Sequence, residues 1–202
     1  MRIALTWLLS TWLLSACASG TGAGSSHASP PRQLFDERSG STLLIVGRPI
    51  VLARSRSDVA ANVHDYVTLI VAQEDISGKY ASWLIAYRWS TVDPRFDPAH
   101  ALASGRLALI ADGRTISLTP SGEVPAFLQR RDLLPAPHHP INTWAYAMDV
   151  PTLRYLALTR DLALRWQDDA LPLPYSVWEE GRPELLALMN GSANAVERPQ
   201  RH

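Results

Sequence analysis

The dipeptide Asp112-Gly113 sits between two short runs of apolar and β-branched residues, 106–111 and 114–119. Aspartate followed by glycine readily supplies the two positive-φ positions of a type I′ turn, whose twist matches that of the strands it joins. A two-residue loop at this point pairs Ala111 with Arg114, and so Leu109 with Ile116 and Leu107 with Leu118. Those four apolar residues then share one face, an alignment that a slip of one residue would destroy. A chain holding such a hairpin has to build antiparallel sheet around it.

The rest of the chain carries the same pattern. Residues 66–73 are β-branched and aromatic, 74–79 contain the turn formers Asp75, Ser77 and Gly78, and 80–91 alternate with a period of two. In that second strand Trp83, Ile85, Tyr87 and Trp89 fall on one face, expected to be core, and Ser82, Leu84, Ala86, Arg88 and Ser90 on the other. Residues 42–53 are rich in Val, Ile and Leu but broken by Gly47-Arg48-Pro49, which leaves either a tight hairpin or one edge strand with a bend. Residues 143–150 alternate with Trp144, Tyr146 and Met148 on one side, and Leu162, Leu164 and Trp166 read as a further strand.

Two prolines open helices. Pro151 begins one that runs to about Arg160, with Leu153, Leu156, Ala157 and Arg160 at helical spacing. Pro183 begins another over 183–190, with Leu185, Leu186 and Met189 inward and Gly191 as its C-cap. Roughly seven or eight strands against two or three short helices predict a mainly β fold, either a β-sandwich or a curled antiparallel sheet with helices packed on it. Between them, residues 120–140 carry five prolines, a short helix expected around 126–133, and Arg130, Arg131, His138 and His139. Loops beyond about 12–15 residues are uncommon unless they do something, so this excursion over the sheet is the first place to look for a function.

The N-terminus sets the location. Arg2 precedes an apolar run, 3–14, of about a dozen residues, whereas a bilayer-spanning helix needs roughly 20. Leu14-Ser15-Ala16-Cys17 follows at once, and it resembles the bacterial lipobox. The resemblance covers residues 1–17. It implies cleavage before Cys17, a diacylglycerol on the Cys17 thiol and acylation of the new amino group, a multiple-chain anchor that holds where one chain would not. Ala18, standing where an aspartate would imply inner-membrane retention, implies the periplasmic face of the outer membrane. Cys17 is the only cysteine, so no disulfide within the chain is available.

The domain plan follows: a cleaved signal at 1–16, lipidated Cys17 with a flexible tether at 17–33, one β-rich periplasmic domain at 34–191 and a disordered tail at 192–202. The tether, mostly Ser, Gly, Ala, Thr and Pro, cannot bury enough surface to become ordered and spans roughly 20 Å.

Arginine and lysine together equal aspartate and glutamate, for a formal charge of zero. A nucleic-acid-binding domain would carry a basic excess, so that partner is set aside. The pairs Arg54 with Arg56 and Arg130 with Arg131 read as solvated positions at strand and helix ends. There is no GxSxG, HExxH, phosphate-binding glycine loop or CxxC pair. His138 and His139 could join His64, Asp65 or His100 around a metal, yet adjacent residues of an extended segment point in opposite directions, and the pair reads as solvent-facing. No cofactor is expected. Trp83, Trp89, Trp144, Trp166 and Trp178 could line a groove for sugar or peptide, though aromatics at period-two spacing more often make core. Trp178, beside Glu179-Glu180, is the least patterned and the best candidate for exposure; with Arg130 and Arg131 it marks a candidate ligand or partner surface.

These features lead to a lipid-anchored, non-enzymatic lipoprotein with a binding or envelope-assembly domain, its partners being the membrane and an envelope protein. The alternative is an immunity or inhibitor lipoprotein that blocks a toxin or lytic enzyme with the 120–140 loop. A third reading is a small hydrolase without a familiar motif.

Overall fold

The computed structural model describes residues 28–37, 40–92, 104–122, 125–129, 133–137, 139–169 and 173–196. Ten strands and two helices follow in the order β1 (Arg32–Asp36), β2 (Ser41–Ile45), β3 (Ile50–Ser55), β4 (His64–Ile76), β5 (Lys79–Ser90), β6 (Leu107–Ala111), β7 (Arg114–Leu118), β8 (Asn142–Met148), α1 (Val150–Leu158), β9 (Leu162–Trp166), β10 (Tyr175–Glu179) and α2 (Arg182–Val196). The fold is mainly β, as the hairpin pattern implies, and every pairing is antiparallel. It is an open, curled sheet.

The two hairpins organise it. Asp112 and Gly113 take φ of 47° and 79°, and the β6–β7 register is Ala111↔Arg114, Leu109↔Ile116 and Leu107↔Leu118, as the dipeptide requires. The longer hairpin turns on two residues as well. Ser77 and Gly78 both have positive φ, Ile76 pairs with Lys79, and Asp75 Oδ1 accepts the Gly78 N–H at 2.7 Å.

Residues 42–53 form neither a hairpin nor an edge strand. β2 and β3 lie end to end along the same side of β4, with Ile45 opposite Ala72 and Ile50 opposite Leu69. Four residues, 46–49, therefore face two on β4, and the Val46 N–H still reaches Val71 O at 3.0 Å. The Gly47-Arg48-Pro49 interruption lets the two halves part company. β2 continues to β1, while β3 continues through β10 and β9 to β6 and β7. On its other side β4 pairs β5, and β5 pairs β8.

Curling brings distant strands together. Trp144 on β8 meets Trp166 on β9 with ring centroids 4.7 Å apart, and Tyr146 Oη donates to Gly105 O just before β6 at 2.5 Å. Gly105 has φ of 63°, and a Cβ there would lie 2.1 Å from Trp144 Nε1, so glycine is needed on both counts. One buried cluster joins residues from the sheet, both helices and the 120–140 segment, where Phe127 is fully buried and Leu133 and Leu134 nearly so.

That cluster explains a second departure. Leu84, Ala86 and Arg88 of β5 are as buried as Ile85 and Tyr87, because both faces of this central strand are covered. The expected helix over 126–133 is a 3-10 turn at Ala126–Gln129 within the described residues. α1 is capped by Asp149, whose side chain accepts the Thr152 N–H at 2.7 Å, and it buries Leu153, Leu156 and Ala157. α2 continues through Gly191 to Val196 instead of stopping there, and Leu188, in place of Leu186, joins Leu185 and Met189 in full burial.

Candidate functional site

Tyr66 on β4 and Trp89 on β5 are direct cross-strand partners, and their rings stack at 4.1 Å with an 11° interplanar angle. Such pairs are the unit of sheet stabilisation and rigidify one another. Trp89 Nε1 donates to Thr68 Oγ1 at 2.9 Å, which fixes the indole against the sheet. His64, two residues before Tyr66, lies 5.9 Å from it.

Trp178 completes the strip from β10. Val177 pairs with Leu52 and Glu179 with Val51, so two steps on β10 span one on β3, and Trp178 is the extra residue of a β-bulge. The bulge turns its indole outward: Trp178 is 58 % exposed, edge-on to Tyr66 at 6.1 Å and tilted against His64 at 5.3 Å. Three of these rings, Tyr66, Trp89 and Trp178, border a shallow groove of about 260 Å³ whose lining also includes Pro49, Val51, Thr68, Glu179 and the segment Pro135, Ala136 and Pro137.

Ala136 and Pro137 also line a deeper trough of about 690 Å³, bounded by Tyr87, Pro120, Ser121, Leu128, Pro140 and residues 141–145. Burial pushes the Tyr87 hydroxyl up to about 12, so it stays neutral at physiological pH. The 135–137 segment is thus a low wall between two depressions on one face. The lining of both is mostly rings, prolines, aliphatic and small residues, with Glu179 at the first, suited to excluding water from an apolar or extended partner.

A second cluster lies at the end of β3. Arg54 donates to Asp65 Oδ2 at 3.1 Å and to Asp169, with its guanidinium 4.4 Å from the Tyr175 ring centre. Arg56 also donates to Asp65 Oδ2, at 3.2 Å, and chelates Asp58 through Nε and Nη2. Ser90 Oγ donates to Asp65 Oδ1 at 2.7 Å. Both Asp65 oxygens are engaged and the residue is fully buried, so the cluster ties β3, β4 and β5 to the approach of β10. The Arg56 guanidinium holds the Asp58 carboxyl below its ordinary range. Arg54 and Arg56 are therefore not solvated strand-end positions. They are 4 % and 5 % exposed, retained inside because carboxylates meet them there.

Of the residues singled out from the sequence, Trp178 stands at the exposed end of the strip. His139 is exposed at the surface. Cys17, Arg130, Arg131, His138 and His100 lie outside the described residues, and among the described residues no three His, Cys, Asp or Glu side chains converge on a metal position. Of the other four tryptophans, Trp166 is core, Trp83 and Trp144 pack partly buried against it, and Trp89 belongs to the strip. The strip's other members, His64 and Tyr66, were open to discovery through the β4–β5 register, which sets Tyr66 opposite Trp89; the bulge at Trp178 leaves no such mark. Among the described residues no helix is long and apolar enough to cross a membrane. Comparison with protein-family models, curated proteins and solved structures finds no match.

Proposed function

We propose that this chain is a membrane-anchored bacterial lipoprotein, tethered through Cys17 to the periplasmic face of the outer membrane, whose β-rich domain is a non-enzymatic binding or envelope-assembly module. The observation that carries the binding role is Trp178, turned out of the sheet by a bulge and held at the end of a stacked aromatic strip. Leaving an indole in water forgoes roughly 1.5–3 kcal/mol of burial, and rigid exposed Trp and Tyr are the residues that most often dominate protein interfaces. The groove beneath offers stacking surface and proline walls, with the Thr68 hydroxyl already engaged by Trp89.

The inhibitor reading draws less support, because Phe127, Leu133 and Leu134 of the 120–140 segment are spent in the domain's own core. Crosslinking of the full-length lipoprotein in intact envelopes tests the proposal. An envelope protein should be captured by the wild type and lost with Trp178→Ala. Equal capture by Trp178→Ala would remove the aromatic strip as the site. For the anchor, Cys17→Ala should move the protein from the membrane to the soluble fraction, and continued sedimentation with the outer membrane would refute lipid attachment.

A further inference from the structure

Phe35, Ile76 and Tyr80 are large apolar side chains left in water, at 65, 45 and 63 % exposure, and the strand pairing gathers them at one end of the sheet. Phe35 pairs with Thr42, Thr42 with Asp75 and Asp75 with Tyr80. The two rings therefore stand in one row on one face, three strand spacings or about 14 Å apart. Ile76 pairs with Lys79 one rung further on, at the tip of the β4–β5 hairpin, which Ser77 and Gly78 close. Lys79, exposed beside Tyr80, is the only lysine of the chain. Glu37 is exposed near Phe35 and Asp75 lies half-buried between the rings, so carboxylates offset the ammonium here.

Three side chains are too few to capture a partner from dilute solution. They suffice when something else already holds that partner close, because a tether makes the second contact intramolecular. The path of the chain into the domain meets that condition. Residues 29 and 30 run beside Gly47, and β1 then carries the chain on to Phe35. The stretch from residue 28 to Phe35 spans at most about 25 Å, whereas the chain from Cys17 to residue 28 reaches roughly 36–40 Å when extended. A lipid on Cys17 thus leaves the Phe35 end free to touch the bilayer in which that lipid sits.

We propose that this end of the sheet rests on a phospholipid surface, with Phe35, Ile76 and Tyr80 at headgroup depth and Lys79 reaching the phosphates. The proposal rests on the lipid-anchored reading and adds an orientation to it. Amphipathic rings such as tyrosine favour that depth, one end apolar and the other wet. A lysine stem lies along apolar surface while its ammonium stays in water. The rings and Ile76 supply the attraction, so docking does not need anionic lipid. β4 then acts as a strut. Tyr66 lies nine residues back along it from Asp75, about 30 Å at the rise of a strand. The aromatic strip that ends in Trp178 is thereby held away from the membrane, facing the periplasm.

The test uses the full-length lipoprotein reconstituted in phosphatidylcholine vesicles. Acylation consumes Cys17, so Ser77→Cys at the hairpin tip and Ala61→Cys in the exposed loop before β4 each leave one thiol for an environment-sensitive fluorophore. The label at position 77 should emit as in an apolar medium and be quenched severalfold more by spin-labelled lipid than the label at position 61. Adding Phe35→Asp and Tyr80→Asp, both at exposed positions, should return the label at position 77 to water while the protein still floats with the vesicles. Flotation with both labels in water, or with both equally quenched, would overturn the docked orientation and leave the anchor standing. A label at position 77 that stays quenched despite the two aspartates would overturn the assignment to these rings. Failure to float would refute the anchor, and the docking with it.

Discussion

Arg54 shows how one residue can carry more of the fold than its type suggests. Its guanidinium bridges Asp65 and Asp169 while lying on the Tyr175 ring, all within the domain. Replacing a buried pair with apolar groups can be neutral, but removing Arg54 alone takes this guanidinium from Asp169 and leaves Asp65 with that of Arg56. Because Arg56 still meets Asp65, Arg54→Ala is expected to cost about 3 kcal/mol, the low end for a broken buried pair, read as a lower urea midpoint with the transition still cooperative. A loss below about 1 kcal/mol, the scale of surface pairs, would mean that water reaches the cluster. The sequence held the composition of this network, two arginines with aspartates on either side of them, but not its burial. Asp169 lies far along the chain, and nothing in the spacing of Arg54 and Arg56 announces which carboxylates will meet them. Trp178 is the converse. Its lack of pattern marked it for exposure, yet the cause, one extra residue on β10 against β3, exists only once the strands are paired.

Elements with local specification were the legible ones. The β6–β7 hairpin is determined by two residues at its turn, and α1 by a proline, a cap and an apolar stripe, so each could be placed from a few neighbouring positions. β1 and β10 carry no such signals, and the division of 42–53 between two partners depends on β4 being long enough to serve both. The ends of α1 also predict a pH response. Asp149 accepts the Thr152 N–H at the first turn, and Asp112 Oδ1 accepts the N–H groups of Arg160 and Asp161 just past the last, both at 2.9 Å. Backbone hydrogen bonding from Thr152 holds the Asp149 carboxyl below its ordinary value of 3.8, and that from Asp161 does the same for Asp112. A folded-state value below the unfolded one stabilises the fold above the ordinary value, and the gain is lost as pH falls through the folded value. Stability should thus be level from pH 7 to about 5 and decline in the acid range below. Asp149→Ala should cost about 1 kcal/mol at neutral pH, the usual worth of a cap. Its deficit relative to wild type should shrink as the pH is lowered past 3.8. A deficit that stays constant across that range would show that the charge of Asp149 contributes nothing.

At the scale of the molecule, β10 is the strand that unites the two parts of the sheet. β3 and β9 do not pair with each other; each pairs with β10, so residues from the second half of the chain must return between them. Pairings this distant in sequence make the fold slow to assemble compared with a hairpin or a helix bundle, and they concentrate the cost of misfit at the junction. Gly181, two residues past the end of β10, sits against the start of β3: a Cβ there would lie 2.3 Å from Pro49 O and 2.8 Å from Ile50 N. Both obstacles are backbone, so relief requires moving the strand rather than rotating a side chain. Gly181→Ala is accordingly expected to destabilise by about 1–3 kcal/mol, the range for overpacking a filled site. The urea midpoint should fall with an unchanged slope, since the surface exposed on unfolding stays the same. Gly191, inside α2 with nothing within 4 Å of its added Cβ, is the internal control. Gly191→Ala should raise stability by about 0.5–1 kcal/mol, because alanine is the better helix former and loses less conformational freedom on folding. The two substitutions make the same chemical change at opposite ends of one short segment. A Gly181→Ala midpoint at or above that of the wild type would show that the close approach of Gly181 to Pro49 does not constrain the sheet.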